Sequence, residues 1–376
     1  MRIRIVKNSY DQAKQNYEKG DLKNALPYIL KEYENNPEIA CDLAYMYESG
    51  LGVEKDIGKA IDILQNNVKR GNAAAQLELG TRLLTGKNIP QNIQEGLDLL
   101  KKSAEQGNLL AQYNLGYVHE TGKIVEQDFN EALKWYKLAA SNSQAQAQLR
   151  LAYMYLYGHG VEENPQEAYN NFYASAAQGN GEAAYNLGVM LEHGIGIKAS
   201  LEDAIACYAR GAENGYSGAQ FALGEKYASG NGVERNLEIG AYWFRCAAEQ
   251  GNVDALNNLA LFYEIGMGVE TSPSHAMELY KLAVEGGSSK AMYNVAALYA
   301  NGYEGQESDM DQALKWYKLA AENGEADASA SLGAIYARGM DKIEKNEKEA
   351  IKWLTLSVEQ GSELGKQILE SLQKNN

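Results

Sequence analysis

The sequence predicts an all-α protein built as an α/α-solenoid, a right-handed superhelix of antiparallel helix pairs. Two helical patterns of small and apolar residues alternate along most of the chain, and the pair recurs every 36 residues. Strand signals are almost absent, and the 376 residues include only 5 prolines. Because each unit of a solenoid contacts only its neighbours, this length does not require two or three separate globular domains.

Helix A, the first helix of each unit, is marked by an alanine and, four positions later, an apolar residue on the same face. The alanine recurs as Ala75, Ala111, Ala147, Ala183, Ala219, Ala255, Ala291 and Ala328. The apolar residue is Leu43, Leu79, Leu115, Leu151, Leu187, Leu223, Leu259, Val295 and Leu332. Glycine or alanine always follows it. Nine copies in register indicate a true repeat.

A loop glycine follows helix A in every unit, and in four units a second glycine and a valine then turn the chain towards helix B. The loop glycines are Gly50, Gly86, Gly122, Gly158, Gly194, Gly230, Gly266, Gly302 and Gly339. Helix B shares a tryptophan position with a packing role, occupied by Trp135, Trp243, Trp316 and Trp353. It ends at a closing glycine such as Gly251, which Ser143 replaces in repeat 3. Repeats 8 and 9 each gain one residue in the loop, where insertions cost least, which supports these helix boundaries.

This unit resembles the Sel1-like repeat family, whose pattern is A-x-x-x-LG-x-x-Y-x-x-G-x-GV followed by A-x-x-WY-x-x-AA and a closing glycine. The resemblance covers residues 38–361 as nine repeats. Repeats 4 and 6 carry it best, through Leu151-Ala152, Tyr155 and Gly158-His159-Gly160-Val161, and through Leu223-Gly224, Tyr227 and Gly230 to Val233. The resemblance implies a scaffold or adaptor that holds other proteins in assemblies.

The two ends of the chain differ from these repeats. Residues 10–37 are similar to a tetratricopeptide repeat through Ala13, Tyr17, Gly20-Asp21, Ala25 and Pro37. We expect residues 1–37 to form an N-terminal arm and a capping repeat that covers the apolar end of the array, the alternative being a separate docking module. Residues 362–376 carry Leu364, Ile368, Leu369 and Leu372 at helical spacing, so we expect a C-terminal capping helix.

The chain carries 50 acidic and 35 basic residues, a formal net charge of −15. This excess argues against nucleic acid as a partner, because binding a phosphate backbone needs clustered lysine and arginine. It favours a basic protein or peptide as the partner. The alternative is that the charge serves only to keep a long surface soluble.

The cysteines and the apolar segments bear on the cellular compartment. Cys41, Cys207 and Cys246 are odd in number and unrelated to the repeat, so they indicate no disulfide framework and fit a reducing compartment. Neither residues 1–9 nor any later segment has the apolar run of a signal peptide or a membrane span. We expect a cytoplasmic protein without membrane insertion, or a periplasmic or secreted one if a signal peptide has been removed. We favour a monomer.

No residue pattern predicts catalysis, a metal site or a cofactor. His119, His159, His193 and His275 lack metal-ligand spacing to one another or to cysteine. His119 stands where six other repeats have tyrosine, which indicates a packing role. The Gly-x-Gly loops follow helices, whereas a dinucleotide-binding loop follows a strand. We therefore expect that the protein is not an enzyme.

Tyrosine outnumbers phenylalanine 26 to 5 and falls into two classes. The first class occupies a packing position of helix A, as Tyr47, Tyr155, Tyr227, Tyr263, Tyr299 and Tyr336. The second class stands at positions that vary between repeats. By analogy with tetratricopeptide-like solenoids, these positions line a concave groove formed by the A helices.

The groove positions give the predicted partner-binding residues. They are Tyr45, Glu48, Tyr113, Asn114, Tyr117, Glu120, Tyr153, Tyr185, Asn186, Glu192, Phe221, Glu225, Asn257, Asn258, Glu264, Tyr293 and Asn294. Tyrosine anchors interfaces, and an asparagine side chain can hydrogen-bond an extended peptide backbone. The alternative for the asparagines is that they only bridge neighbouring helices.

These observations predict a protein-interaction scaffold or adaptor that binds a peptide or a partner protein in the groove. A second hypothesis is a dedicated inhibitor or immunity protein that masks a basic enzyme or toxin. A third is a structural array that assembles with itself. The residues that select a partner are scattered over the surface of a repeat protein, so the sequence does not identify the partner.

Overall fold

The computed structural model describes residues 26, 29–30, 33, 39–340 and 343–374. These residues form 19 α-helices, and their only strand-like pairing is two isolated bridges. The helices are α1 (Ala40–Ser49), α2 (Ile57–Lys69), α3 (Ala73–Thr85), α4 (Ile93–Glu105), α5 (Leu109–Thr121), α6 (Phe129–Ser141), α7 (Ala145–Tyr157), α8 (Pro165–Ala177), α9 (Gly181–His193), α10 (Leu201–Glu213), α11 (Ser217–Ser229), α12 (Leu237–Ala248), α13 (Val253–Ile265), α14 (Pro273–Glu285), α15 (Ser289–Asn301), α16 (Met310–Glu322), α17 (Ala326–Arg338), α18 (Glu347–Glu359) and α19 (Glu363–Lys374). The all-α prediction is confirmed.

The chain divides into two compact units, residues 1–178 and 179–376. The first contains α1 to α8 and the second contains α9 to α19. Within each unit every helix packs against the helix before it and the helix after it. Odd-numbered helices from α1 to α17 are the predicted A helices and even-numbered helices are the B helices. Each unit is therefore an α/α-solenoid of helix pairs, as predicted.

Side-chain caps fix the start of every B helix. A side-chain oxygen of the residue before the helix accepts a hydrogen bond from the backbone N–H three residues later. The capping residues are Asp56, Asn92, Asp128, Asn164, Ser200, Asn236, Ser272, Asp309 and Asn346. Such a cap contributes about 1 kcal/mol, so nine of them define the helix register strongly.

Left-handed glycines end seven of the nine A helices, from Gly50 to Gly266. Gly302 and Gly339 differ, with ψ angles of 162° and 148°. Each opens a loop closed by an isolated bridge, Tyr303 to Gln306 in one and Met340 to Ile343 in the other. These are the two loops with an added residue, so the insertions lie between helices A and B, as the sequence predicts.

The repeated apolar positions form the core. All eight repeated alanines of helix A are fully buried, and the nine apolar residues after them are at most 5% exposed. The next residue must be small because a helix-B ring lies against it. A Cβ on Gly116 would lie 2.5 Å from a ring carbon of Tyr136, and one on Gly188 would lie 2.6 Å from Tyr208. The Gly-or-Ala position therefore sets how closely the two helices approach.

The predicted N-terminal capping repeat, residues 10–37, lies almost entirely outside the described residues. Ile29 within it and Ile39 just after it are each 2% exposed and belong to a core cluster shared with the first two repeats. Helix α19 coincides with the predicted C-terminal helix and packs on α17 and α18. Because Leu364 of α19 remains 51% exposed, its role as a cap stays a prediction.

Two further observations bear on expectations from the sequence. Cys41, Cys207 and Cys246 are all free thiols. Within the described part of the chain, no helix combines the length and apolarity needed to cross a membrane.

Candidate functional site

The predicted partner-binding residues all lie on A helices, and none of them is buried. Tyr45, Tyr117 and Glu225 are exposed, and the other fourteen are half-buried. Seven belong to the first unit and ten to the second. We call the surface formed by these positions in each unit the A-helix face of that unit.

Four aromatic residues of the A-helix face, all at the position two residues before the repeated apolar residue, pack on a helix-B ring of the same repeat. Tyr113 lies 5.8 Å from Tyr136 and Tyr185 lies 5.7 Å from Tyr208, measured between ring centroids. The equivalent distances are 5.7 Å for Phe221 with Phe244 and 5.6 Å for Tyr293 with Tyr317. From the sequence we expected these side chains to be available to a partner. In the structure, each ring already packs against a ring of helix B. This packing restrains the rings before any partner arrives.

Asn186, Asn257 and Asn294 of the A-helix face make hydrogen bonds within the chain. Asn186 Nδ2 donates to the backbone oxygen of Glu182 at 2.8 Å. Asn294 Nδ2 donates to Asn257 Oδ1 at 3.0 Å, which links α15 to α13. This second pair bridges two A helices, which is the alternative role that the sequence suggested for the asparagines.

A row of four glutamates stands at the same helix-A position, spaced 72 residues apart, as Glu48, Glu120, Glu192 and Glu264. Three of them accept a hydrogen bond from a tyrosine on helix B of the same repeat. The bonds run from Tyr136 to Glu120 at 2.6 Å, from Tyr208 to Glu192 at 2.8 Å, and from Tyr280 to Glu264 at 2.8 Å. The rings of Tyr136 and Tyr280 are fully buried and that of Tyr208 is 3% exposed.

The tyrosines act as neutral donors in these pairs. Burial and the adjacent glutamate raise the pKa of Tyr136, Tyr208 and Tyr280. Their hydroxyls therefore remain protonated and hold the carboxylates in place. Sequence reasoning selected the glutamates but missed these tyrosines, although the matching 72-residue spacing of the two residue types was present in the sequence.

Basic side chains from the following repeat complete three of the four glutamate sites. Arg82 Nη2 lies 2.7 Å from Glu48 Oε2, and Arg150 Nη1 lies 3.8 Å from Glu120 Oε1. Lys226 forms an ion pair with Glu192. Among the described residues, none places a basic group within ion-pair distance of Glu264.

These ion pairs shift the pKa values of the carboxylates. The hydrogen bond from Arg82 lowers the pKa of Glu48. Burial acts to raise the pKa of Glu192, but the hydrogen bonds from Lys226 and Tyr208 outweigh it and lower the pKa. Both carboxylates are therefore ionised at neutral pH and are already neutralised by the chain itself.

No other side-chain cluster suggests chemistry in the described part of the chain. There, no group of three or more His, Cys, Asp and Glu residues is arranged to hold a metal ion. His119 is half-buried on α5, at the helix-A position where Tyr47 packs in repeat 1.

The sequence model of the Sel1 repeat matches the chain nine times, at residues 37–65, 73–108, 109–143, 145–180, 181–216, 217–252, 253–288, 289–325 and 326–362. Among curated protein sequences, none matches significantly. Solved structures do match this chain significantly. The protective antigen c5321 of uropathogenic Escherichia coli, described as displaying an SLR fold, is 32% identical with a TM-score of 0.76, over 84% of this chain and 67% of that chain. A Sel1 repeat protein from Oxalobacter formigenes is 30% identical with a TM-score of 0.59, over 83% of this chain and 90% of that chain.

Proposed function

We propose, from the premise that this chain belongs to the Sel1 repeat family, that it is a scaffold that binds a polypeptide segment of a partner protein on its A-helix face. Sel1 repeat proteins generally mediate protein–protein interactions, and their fold is typically a non-enzymatic scaffold. The specific face and the chemistry of the partner are the parts that we add.

The observation that carries the proposal is a set of aromatic rings on helix A, each held by packing against a ring of helix B. Tyr113, Tyr185, Phe221 and Tyr293 each pack on a second ring and stay half-buried rather than buried. A restrained ring loses little conformational entropy when a partner covers its open side. Tyrosine is also among the residues that contribute most to binding at interfaces. The A-helix face therefore has rigid contact points before binding.

Charge indicates the kind of partner. The net charge of −15 and the Glu264 carboxylate, which has no ion-pair partner among the described residues, favour a segment with basic side chains. A neutral or acidic segment would leave the half-buried carboxylate of Glu264 without a positive charge beside it.

The experiment compares two double variants in affinity capture from the native organism with quantitative mass spectrometry. Tyr45→Ala with Tyr117→Ala removes two rings of the A-helix face, each 38% exposed. Tyr173→Ala with Tyr242→Ala is the matched control on helix B, where the rings are 58% and 55% exposed. We expect the first variant to lose its partner by at least about tenfold, since an interface tyrosine often contributes more than 1 kcal/mol. The control should retain the partner.

Equal capture by the wild type and the Tyr45/Tyr117 variant would exclude the A-helix face of the first unit, which contains both rings. Thermal unfolding of both variants provides the check on folding, because all four rings are exposed and their loss should leave the melting temperature nearly unchanged.

A second candidate function, a dedicated inhibitor of one basic enzyme or toxin, draws on the same net charge. It predicts a single partner, captured in a tight complex of equal stoichiometry, whose activity falls to zero when the complex forms. Several captured partners, or one that remains active, would favour the scaffold.

A further inference from the structure

We infer that Glu264 is the receptor for a lysine or arginine side chain of the bound partner. This inference rests on the proposed function and adds one defined contact to it. The occupant is a basic side chain of a polypeptide segment that lies across α13 and α15 in the second unit. Four equivalent glutamates within one chain differ in whether the chain itself places a cation beside them.

The chain supplies its own cation to three of these glutamates. Arg82 and Lys226 stand at the same position of the next helix A, 34 residues after Glu48 and Glu192 respectively. The position equivalent to both, beside Glu264, is occupied by Leu298. Leu298 is 4% exposed and belongs to the hydrophobic core. An apolar side chain therefore replaces the internal cation at this repeat.

A basic residue is also absent from the other position that supplies a cation, which is occupied by Arg150 in the case of Glu120. Arg150 reaches Glu120 from a position 30 residues further along the chain. Its equivalent beside Glu264 is Asn294, whose amide donates to Asn257 at 3.0 Å. Both internal sources of positive charge are thus replaced by neutral side chains.

The carboxylate itself is still held in position. Tyr280 donates to Glu264 Oε2 at 2.8 Å, as the equivalent tyrosines do at Glu120 and Glu192. Within the described part of the chain, no residue bonds the second carboxylate oxygen. Glu264 is therefore an oriented, half-buried acceptor without a cation among the described residues, whereas each of its three counterparts has one within ion-pair distance.

Small residues leave room for a partner beside this carboxylate. Ala297 and Ala300 stand on the exposed side of α15 and are both half-buried. At the position equivalent to Ala297, the second unit carries Glu225 on α11. A long basic side chain can lie over two alanines and reach the carboxylate. The packed ring of Tyr293 and the Asn257–Asn294 amide pair are on the same face, where they can contact the rest of the segment.

Charge complementarity selects a basic occupant. A carboxylate accepts charge-assisted hydrogen bonds from ammonium or guanidinium groups that are roughly twice as strong as neutral ones. The chain itself places a basic group within ion-pair distance of the carboxylate at three equivalent positions. The missing cation at the fourth position is what the partner supplies.

The test uses a random library of displayed 12-residue peptides, selected on the full chain. Peptides that bind should be enriched in lysine or arginine at one position, and replacing that residue by norleucine should weaken them. Glu264→Gln removes the charge of the receptor. Leu298→Lys keeps the carboxylate but supplies an internal cation, as Lys226 does for Glu192. Each variant should weaken the basic peptides by on the order of tenfold.

Two matched controls accompany these variants. Glu278→Gln removes an exposed glutamate of helix α14, whose side chain is 75% exposed. Leu298→Met changes the packing at position 298 without adding charge. Both should bind the selected peptides within about twofold of the wild type, as expected for changes away from an interface charge.

The outcomes separate this inference from the proposed function. Peptides that bind wild type, Glu264→Gln and Leu298→Lys equally would overturn the role of Glu264 and leave the A-helix face in place. A library that yields no binder would contradict the proposed function itself.

Discussion

At the scale of single residues, the glutamate and tyrosine pairs follow a rule of hydrogen-bond satisfaction. Buried tyrosine occurs on helix B of repeats 5 and 7, at Tyr208 and Tyr280, where helix A supplies Glu192 and Glu264. In repeat 6 between them, helix A has Ala228 and helix B has Phe244, which is 1% exposed. A buried hydroxyl without an acceptor is costly, so phenylalanine is the ring that fits beside Ala228. In repeat 8, Tyr317 stands at the same helix-B position although helix A has Ala300, but its ring is 7% exposed, more than that of Tyr208 or Tyr280.

This rule predicts the effect of exchanging the ring. Phe244→Tyr places a hydroxyl beside Ala228 without an acceptor and should lower the free energy of unfolding by about 1–3 kcal/mol. Adding Ala228→Glu to the same chain recreates the pair found in repeats 5 and 7 and should restore most of that loss. Urea unfolding of the two single variants and the double variant measures the coupling between the two positions.

The coupling energy between positions 228 and 244 tests whether the glutamate satisfies the hydroxyl. If Phe244→Tyr costs the same free energy with and without Ala228→Glu, the glutamate does not satisfy the hydroxyl, and the 72-residue pattern has another cause.

At the scale of elements, the ends of the helices determine the length of each repeat. Gly107 and Gly179 close helices α4 and α8 with φ angles of 87° and 89°. In the repeat between them, Ser143 closes α6 with a φ of 62°. Serine in this left-handed region carries a steric cost that glycine avoids, because its Cβ approaches the following carbonyl oxygen.

Ser143→Gly should therefore stabilise the first unit by about 1 kcal/mol. The reverse change, Gly215→Ser, should destabilise the second unit by a similar amount. Gly215 has a φ of 81° and no heavy atom within 4 Å of a built Cβ, so the backbone strain acts there without a clash. Urea unfolding of both variants is the measurement, and a Ser143→Gly protein less stable than the wild type would contradict the argument.

At the scale of the whole molecule, the net charge of −15 acts on any approaching partner before contact. For a basic partner, long-range attraction raises the association rate, and salt screens this attraction over a Debye length of about 10 Å at 0.1 M. The half-buried ion pairs within the chain are screened much less. The partner's association rate is therefore the quantity that reports the charge of the whole surface.

Raising the salt concentration from about 0.05 M to about 0.5 M should slow association with a basic partner by roughly tenfold or more and change its dissociation rate much less. Binding kinetics at four salt concentrations give both rates. The Tyr45/Tyr117 variant is the control, because it should shift affinity without changing the salt dependence. An association rate independent of salt would show that the negative charge serves solubility and not recognition.

The sequence by itself determined the repeat, the position of its helices and the loops that accept insertions. Each of these depends on local chemistry that recurs with the period. Asn, Asp and Ser cap the B helices, glycine ends the A helices, and alanine and leucine fill the core. Because these signals recur in nine copies, they can be recognised without knowing which residues are neighbours in space.

Only the tertiary structure decided which residues of the A-helix face already have partners within the chain. Tyr185 appeared free in the sequence but packs on Tyr208, and Glu192 is bonded by Tyr208 and Lys226. These partners are 16 and 34 residues away from Glu192, on other helices. Which atoms come within hydrogen-bond distance depends on how closely helices A and B pack, and that follows from the small residue beside the ring. The exception at Glu264 becomes visible only once its three counterparts are seen with their cations in place.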